Sequence, residues 1–342
     1  KGKLKFPEHD MDTVLLKKDG TPTYHLAHAI DDHLMHTTHV IRGDEWVSSL
    51  PLHIQLFEIL GFKAPKYAHI APLTKKENGN VRKLSKRKDP EAAVSYYDEA
   101  GIPIEAVKLY LATIVNSNFE EWYLNNTDKK IDDFIFTFEK MATGGTLFDL
   151  DKLYNISKTY FSRKSGEDVY KETLVWAEKY DKDYFELLKA NKDDMIKFLS
   201  IEKDGPRPRK DISKYSDVKE EFSYAIDSIF EQENYSKYDG DKTYDVALVL
   251  DYVNNYLDLD CTNEEWFNKV KEFAVNKGYA GSPKEYKKNP EEYKGHVGDI
   301  CEAIRVIVTG RTKSPDLFSI LKILGNENIL KRIDLYKSKI EK

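Results

Sequence analysis

The feature that most constrains how this chain folds is a change of hydrophobic periodicity at about Lys88. Before that point, short β-rich runs alternate with turns and one helical stretch: Thr13-Val14-Leu15-Leu16, a turn at Lys18-Asp19-Gly20, then Thr38-His39-Val40-Ile41. Leu52, Leu56, Ile59 and Leu60 follow at helical spacing, Gly61 stops that helix, and Tyr67-Ala68-His69-Ile70 reads as another strand. Strand, helix, strand in that order predicts a parallel pair. Beyond Lys88 the apolar spacing is helical to the end, so the chain is expected to be mixed, an α/β part followed by a largely all-α part.

The switch has its own punctuation. Asp89 can N-cap a helix with Pro90 at its first position and Gly101 as its C-terminal glycine, and Pro103 opens the next. Helices are then predicted over Ile104–Val115, Ile131–Met141, Asp149–Tyr160, Val169–Tyr180, Tyr184–Ala190, Val218–Glu231, Thr243–Leu257, Asn263–Asn276 and Ile300–Val308. Two polar stretches, Glu202–Lys210 and Gly281–Lys294, read as linkers or binding loops. At 342 residues, two or three core-bearing units are expected. The balance of 53 basic against 59 acidic residues excludes a protein that coats nucleic acid by bulk positive potential, so any such contact must use local patches. No apolar run approaches a membrane span. Cys261 and Cys301, the only cysteines, show neither metal nor disulfide spacing, which suits a reducing, cytoplasmic compartment. The chain opens Lys-Gly-Lys-Leu-Lys-Phe without Met, and is expected to be part of a longer protein.

Several residues can carry chemistry. Arg82-Lys83-Leu84-Ser85-Lys86-Arg87, after the turn Asn78-Gly79-Asn80, sets lysines around a small hydroxyl residue. Such a loop can wrap a triphosphate and neutralise charge developing on pyrophosphate, although lysine-rich hexamers are also common solvated surface. Arg42, at the end of a strand, offers a fork that suits a carboxylate, or else an ion pair with Asp44 or Glu45. Tyr24 and Trp46 suit either a pocket or a core. His25, His28, His33, His36 and His39 crowd around Asp31 and Asp32, but no shared metal is expected, because their elements need not converge. Arg207-Pro208-Arg209-Lys210 is the compact basic patch outside the lysine loop, suited to unpaired bases or simply to solvent.

Taken together, the blocks Asp19-Gly20-Thr21-Pro22-Thr23-Tyr24-His25-Leu26-Ala27, Asp31-Asp32-His33-Leu34-Met35, His39-Val40-Ile41-Arg42-Gly43-Asp44-Glu45-Trp46 and Lys83-Leu84-Ser85-Lys86-Arg87 resemble, in order and spacing, the bacterial-type glutamyl-tRNA synthetases of class I. The resemblance implies a partial Rossmann-like catalytic half and an all-α tRNA-binding region. It implies ATP-dependent attachment of glutamate to its tRNA through glutamyl-adenylate, with Mg²⁺ accompanying ATP and no structural zinc. Lys83, Ser85 and Lys86 would be catalytic, with Tyr24, His28 and Arg42 holding the amino acid. Trp46, Leu73, Lys83 and Lys86 would contact ATP, Leu73 through its backbone. His28 stands where the family commonly has asparagine, so glutamate affinity is expected to depend on pH.

Gly145-Thr146-Leu147-Phe148-Asp149-Leu150-Asp151-Lys152-Leu153 is similar to the element with which these synthetases contact the tRNA elbow, while Asn155 and Ser157 depart from the usual pattern. Arg207, Arg209, Arg305 and Arg311 are the tRNA-contact candidates. The implied division is residues 1–90 for the second half of the catalytic domain, 91–165 for a stem-contact connecting domain, and 166–240 and 241–342 for two anticodon-binding helical subdomains. Glutaminyl enzymes, whose C-terminal half usually carries β-barrels, fit less well than the helical pattern here. The His-Ile-Gly-His-type signature does not occur in these residues, so this chain alone is expected to bind tRNA but to be catalytically incomplete. The alternative is a stand-alone tRNA-binding module. Expected partners are tRNA for glutamate, glutamate and ATP, with no membrane or DNA, and the protein is expected to be a monomer.

Overall fold

The computed structural model describes residues 5–7, 11–126, 129–141, 145–233, 235 and 242–340. By internal contacts the chain forms two compact units, Lys1–Tyr96 with Ile104–Leu153, and Tyr97–Pro103 with Tyr154–Lys342.

The first unit begins with Gly20 at φ 84°, the turn read from Lys18-Asp19-Gly20, and then helix α1 (Tyr24–Leu34). The run Thr13–Leu16 forms no strand, only a bridge from Leu16 to Pro22. Strand β1 (His39–Gly43), helix α2 (Leu50–Ile59) and strand β2 (Lys66–Ile70) make the expected parallel crossover, in register from His39 opposite Lys66 to Gly43 opposite Ile70. Ala29, Leu56 and Phe57 are buried where α1 and α2 face each other.

Strands β3 (Leu73–Glu77) and β4 (Asn80–Lys83) then form a hairpin. Its Asn78-Gly79 corner has φ of 50° and 83°, the pair of positive values that a two-residue turn needs to match strand twist. The first lysine of the Lys-Leu-Ser-Lys-Arg segment is therefore the last residue of a strand. Asp89 does not cap a helix. Pro90–Ala92 form a single 3-10 turn, Ala93 is extended, and helix α3 (Val94–Ala100) begins only after it. The helix does end at Gly101, with φ 82°.

Helices α4 (Ile104–Val115) and α5 (Phe119–Asn125) follow, and strand β5 (Thr146–Leu147) adds in parallel to β3. No helix spans Ile131–Met141, despite apolar residues at 131, 134, 135 and 138. Phe134 and Phe136, two residues apart, both set their rings on buried Phe119, at 5.1 and 6.2 Å, which needs extended backbone between them.

The remaining elements are helical: α6 (Leu150–Ser162), α7 (Gly166–Tyr180), α8 (Lys182–Ala190), α9 (Lys192–Ser200), α10 (Tyr215–Glu221), α11 (Asp227–Glu233), α12 (Val246–Asn255), α13 (Asn263–Asn276), α14 (Pro283–Lys288), α15 (Val297–Thr309) and α16 (Leu317–Ile340), the last interrupted by non-helical backbone at Gly325. Helix α9 escapes sequence reading because it opens Lys192-Asp193-Asp194, yet it buries Met195, Phe198 and Leu199 at the spacing of one face. Helix α14 lies inside a stretch expected to be a loop, started by Ser282 accepting the Glu285 N–H. The helix expected over Val218–Glu231 breaks at a 3-10 turn, Ser223–Ala225. The break turns the Tyr224 carbonyl toward buried Arg332, whose Nη2 donates to it at 2.8 Å. One continuous core, from Phe161 to Tyr336, runs through this second unit.

Candidate functional site: a guanidinium in a cup of rings

Parallel crossovers leave a crevice at the C-terminal ends of their strands, and β1 places Arg42 one residue before its end. The arginine is 9% exposed. Its Nε donates to His69 Nε2 at 3.1 Å, its Nη1 to His53 Nδ1 at 2.9 Å and its Nη2 to the Trp46 carbonyl at 3.3 Å. The guanidinium carbon lies 4.9 Å from the centre of the Tyr67 ring and 5.9 Å from that of Trp46. No carboxylate is paired with it among the described residues, so the ion pair with Asp44 or Glu45 does not form.

Rings wall the rest of the cup. Tyr24, at the start of α1 and 46% exposed, stands 4.3 Å from Trp46 and stacks on His28 at 5.7 Å with an 11° interplanar angle. Buried His28 has Nδ1 2.5 Å from an Asp32 carboxylate oxygen and Nε2 3.0 Å from the Tyr67 hydroxyl. With Nδ1–H donating to the carboxylate and Nε2 accepting the phenol proton, both ring nitrogens are satisfied by the neutral form. Burial lowers the His28 pKa, opposed by Asp32, a direction that favours the neutral ring. Burial also pushes the Tyr67 hydroxyl up to about 12.

His53, fully buried on α2, lies between Arg42 and His25, whose Nδ1 is 2.9 Å from His53 Nε2. Burial first, and the nearby His28, Arg42 and His25 after it, bring its pKa down to about 3. Neither His53 nor Tyr67 nor His69 was singled out from sequence. The available signal was a histidine at helical spacing from Leu56, Phe57 and Leu60, the face of α2 that packs inward. The histidine cluster divides in two. His25 and His28 join the cup, whereas His33, His36 and His39 line a separate cleft with Lys63 and Lys66, and the His33 ring lies flat on Phe62 at 3.6 Å. No group of three or more metal-ligating residues converges among the described residues.

The hairpin carries the second part of the site. Exposed Lys83 pairs with Glu45 at 2.6 Å, beside Trp46 in sequence. Ser85 and exposed Lys86 follow where the chain leaves β4, on a turn held by Asp89. That carboxylate, 2% exposed, takes the Arg82 fork at 2.7 and 2.8 Å and the Ser85 N–H at 2.8 Å. Those bonds, Arg82 first, hold its pKa well below the usual carboxylate range. The Leu73 carbonyl, on β3, already accepts the Leu84 N–H at 2.8 Å.

In the second unit the four arginines expected to face tRNA separate. Arg207 is exposed. Arg209 turns inward, donating to the Phe198 and Leu199 carbonyls at 3.4 and 2.8 Å, with its charge over the Phe222 ring and Asp211 beside it. Arg311 bonds the Glu220 carbonyl and the Ser223 hydroxyl, and Arg305 Nε donates to Ser314 at 3.1 Å. Close-packed helices leave carbonyls at their ends that need donors, and Arg209 and Arg311 supply them. Ser157 is buried and donates to the Ser213 carbonyl.

Residues 1–153 match the family of class I tRNA synthetases (E and Q), catalytic domain, and residues 284–336 match an anticodon binding domain. The first 153 residues thus group with the catalytic domains of class I tRNA synthetases of the E and Q type. The chain is similar to glutamate–tRNA ligases from Clostridium perfringens, 46% identical over 97% of this chain, and from Clostridium beijerinckii, 44% identical over 98%. The chain spans 62% of the length of each of these relatives. A crystal structure of a glutamate–tRNA ligase from Elizabethkingia meningosepticum, in complex with its amino acid, covers 96% of the chain with a TM-score of 0.65. At 24% identity that likeness is one of fold, and the chain covers 62% of that structure.

Proposed function

We propose that this chain carries the amino-acid pocket, the phosphate loop and the anticodon-binding region of a glutamate–tRNA ligase. The observation that carries the proposal is the buried Arg42 guanidinium without a carboxylate partner among the described residues. A buried cation is costly unless an anion completes it, and a side-chain carboxylate in the ring-walled cup would do so. Tyr24 and His28 line the same space, and Trp46 follows Glu45, which pairs with Lys83 of the loop. Lys83, Ser85 and Lys86 would hold the phosphates of ATP, with Mg²⁺ arriving on those phosphates. Their positive charge would stabilise departing pyrophosphate. Class I chemistry of this kind needs alignment more than a protein nucleophile.

For tRNA, the proposal rests on the matched anticodon-binding residues within 241–342, with 166–240 working beside them, 91–165 as the stem contact and 1–90 as the catalytic half. Arg207 and Arg305 are the retained contact candidates. A cytoplasmic, monomeric protein belongs to the same reading. The ATP-binding signature sought in the sequence is not among these residues, so adenylate formation is proposed to require residues outside this chain.

The test is amino-acid-dependent ATP–pyrophosphate exchange with tRNA present, using the full-length protein and an Arg42→Lys variant. The wild type is expected to depend on glutamate, and the variant to raise the glutamate KM about 10- to 100-fold, because a point charge cannot replace the fork. Glutamate-independent exchange, or an unchanged KM, would refute the assignment. Turnover above background by the 342-residue chain alone would overturn the requirement for further residues.

A further inference from the structure

The residues around Arg42 show which groups hold its fork, and they share one property: none carries a negative charge. His69 and His53 offer ring nitrogens, Trp46 a carbonyl, and Tyr67 and Trp46 their ring faces. His53 differs from the others because it is fully buried and has a second partner on its far side, His25. An imidazole in its neutral form is an acceptor at one nitrogen and a donor at the other. Arg42 cannot accept a hydrogen bond, so His53 Nδ1 must be the acceptor, and Nε2–H then donates to His25 Nδ1. The same logic makes His69 Nε2 an acceptor.

We propose that His53 is the positioning residue of this site, a neutral imidazole that accepts one Arg42 N–H and donates to His25, fixing the fork for a substrate carboxylate without neutralising it. This rests on the reading of Arg42 as the carboxylate-binding group. A carboxylate at position 53 would form a permanent ion pair and compete with the substrate. A lysine or arginine would repel Arg42 in a desolvated space. A leucine would leave an Arg42 N–H and the His25 acceptor without partners. The groups facing His53 agree with a neutral ring: His25, His28 and Tyr24 from α1, Arg42 from β1, and Trp46 beyond it. Arg42 is the only fixed charge among them, and Asp32 is engaged with His28. Protonating His53 would place a second cation against the first and turn its acceptor into a donor facing a donor.

The experiment compares His53→Leu, His53→Gln and Arg42→Lys in the full-length protein, measuring KM for glutamate, KM for ATP and kcat in aminoacylation, with melting temperature as the folding control. His53→Leu is expected to raise the glutamate KM about tenfold and leave the ATP KM within twofold. His53→Gln, whose amide both accepts and donates, should restore the glutamate KM to within about threefold of wild type. If Arg42→Lys raises the glutamate KM but His53→Leu does not, the positioning role falls while the site reading stands. If Arg42→Lys changes nothing, the reading itself falls. A glutamine variant as impaired as the leucine one would also overturn the proposal. Independently of any variant, ¹⁵N NMR of the wild-type histidines should show His53 neutral, with Nε2 protonated and Nδ1 bare, at pH 6. An imidazolium signature there would refute it.

Discussion

Arg332 is a long charged residue 3% exposed in the core of the second unit, and replacing it by methionine tests the account of that core. Its Nη1 donates to the Val308 carbonyl at 2.6 Å, and Nη2 donates to the Tyr224 carbonyl at 2.8 Å and to Asp227 at 2.7 Å. Val308 is in the last turn of α15, where carbonyls lack intrahelical partners and a cation also meets the negative end of the helix dipole. The guanidinium carbon lies 4.2 Å from the centre of the Phe230 ring. Methionine keeps most of the packing volume but leaves two buried carbonyls unsatisfied, at about 1–3 kcal/mol each. Asp227 is half exposed and contributes little of its own. Relief of the arginine's desolvation, which lowers its pKa, offsets part of the loss. The expected net destabilisation is about 3 kcal/mol, or roughly 6–12 °C in melting temperature for a unit of this size. Urea and thermal unfolding followed by tryptophan fluorescence would measure it, since Trp266 belongs to the same core. Lys331→Ala, which loses only an exposed pair with Glu231, should stay within about 0.5 kcal/mol of wild type. An Arg332→Met loss below about 1 kcal/mol would show that the carbonyls find other partners and would refute the reasoning.

Arg82→Ala removes the fork that holds Asp89 while leaving the Lys83, Ser85 and Lys86 side chains intact. It is expected to raise the KM for ATP roughly tenfold and leave that for glutamate unchanged, and an unchanged ATP KM would show that Asp89 does not set the loop. Acid should weaken the first unit through His53. Its folded pKa of about 3 lies below the ordinary 6.5, so the unfolded chain takes up the proton first and stability falls as the pH drops below that value. Between pH 7 and pH 5 the loss should approach about 2 kcal/mol. Denaturant midpoints at the two pH values measure it, and His53→Gln should flatten the difference.

Local rules read much of this chain correctly. The crossover from β1 through α2 to β2, the bounds of α4 and α13, and the stops at Gly61 and Gly101 follow from periodicity and positive-φ chemistry close in sequence. Arg42, Tyr24, Trp46 and the lysine loop stand out as candidates in the sequence because each lies in a short segment whose residue types carry the signal. Contacts that periodicity and residue type do not specify decided the rest. Phe119 draws Phe134 and Phe136 out of a helical pattern, and Asp89 serves Arg82 and Ser85 when its position suggested a helix cap. Arg209 looked like a surface cation in a polar run, but helix-end carbonyls within its reach turned it inward. Nothing in the sequence singles out His53. Only the folded chain brings Arg42 to one side of its ring and His25 to the other, because a hydrogen-bond partner is a matter of position in space, which residue type and spacing do not encode.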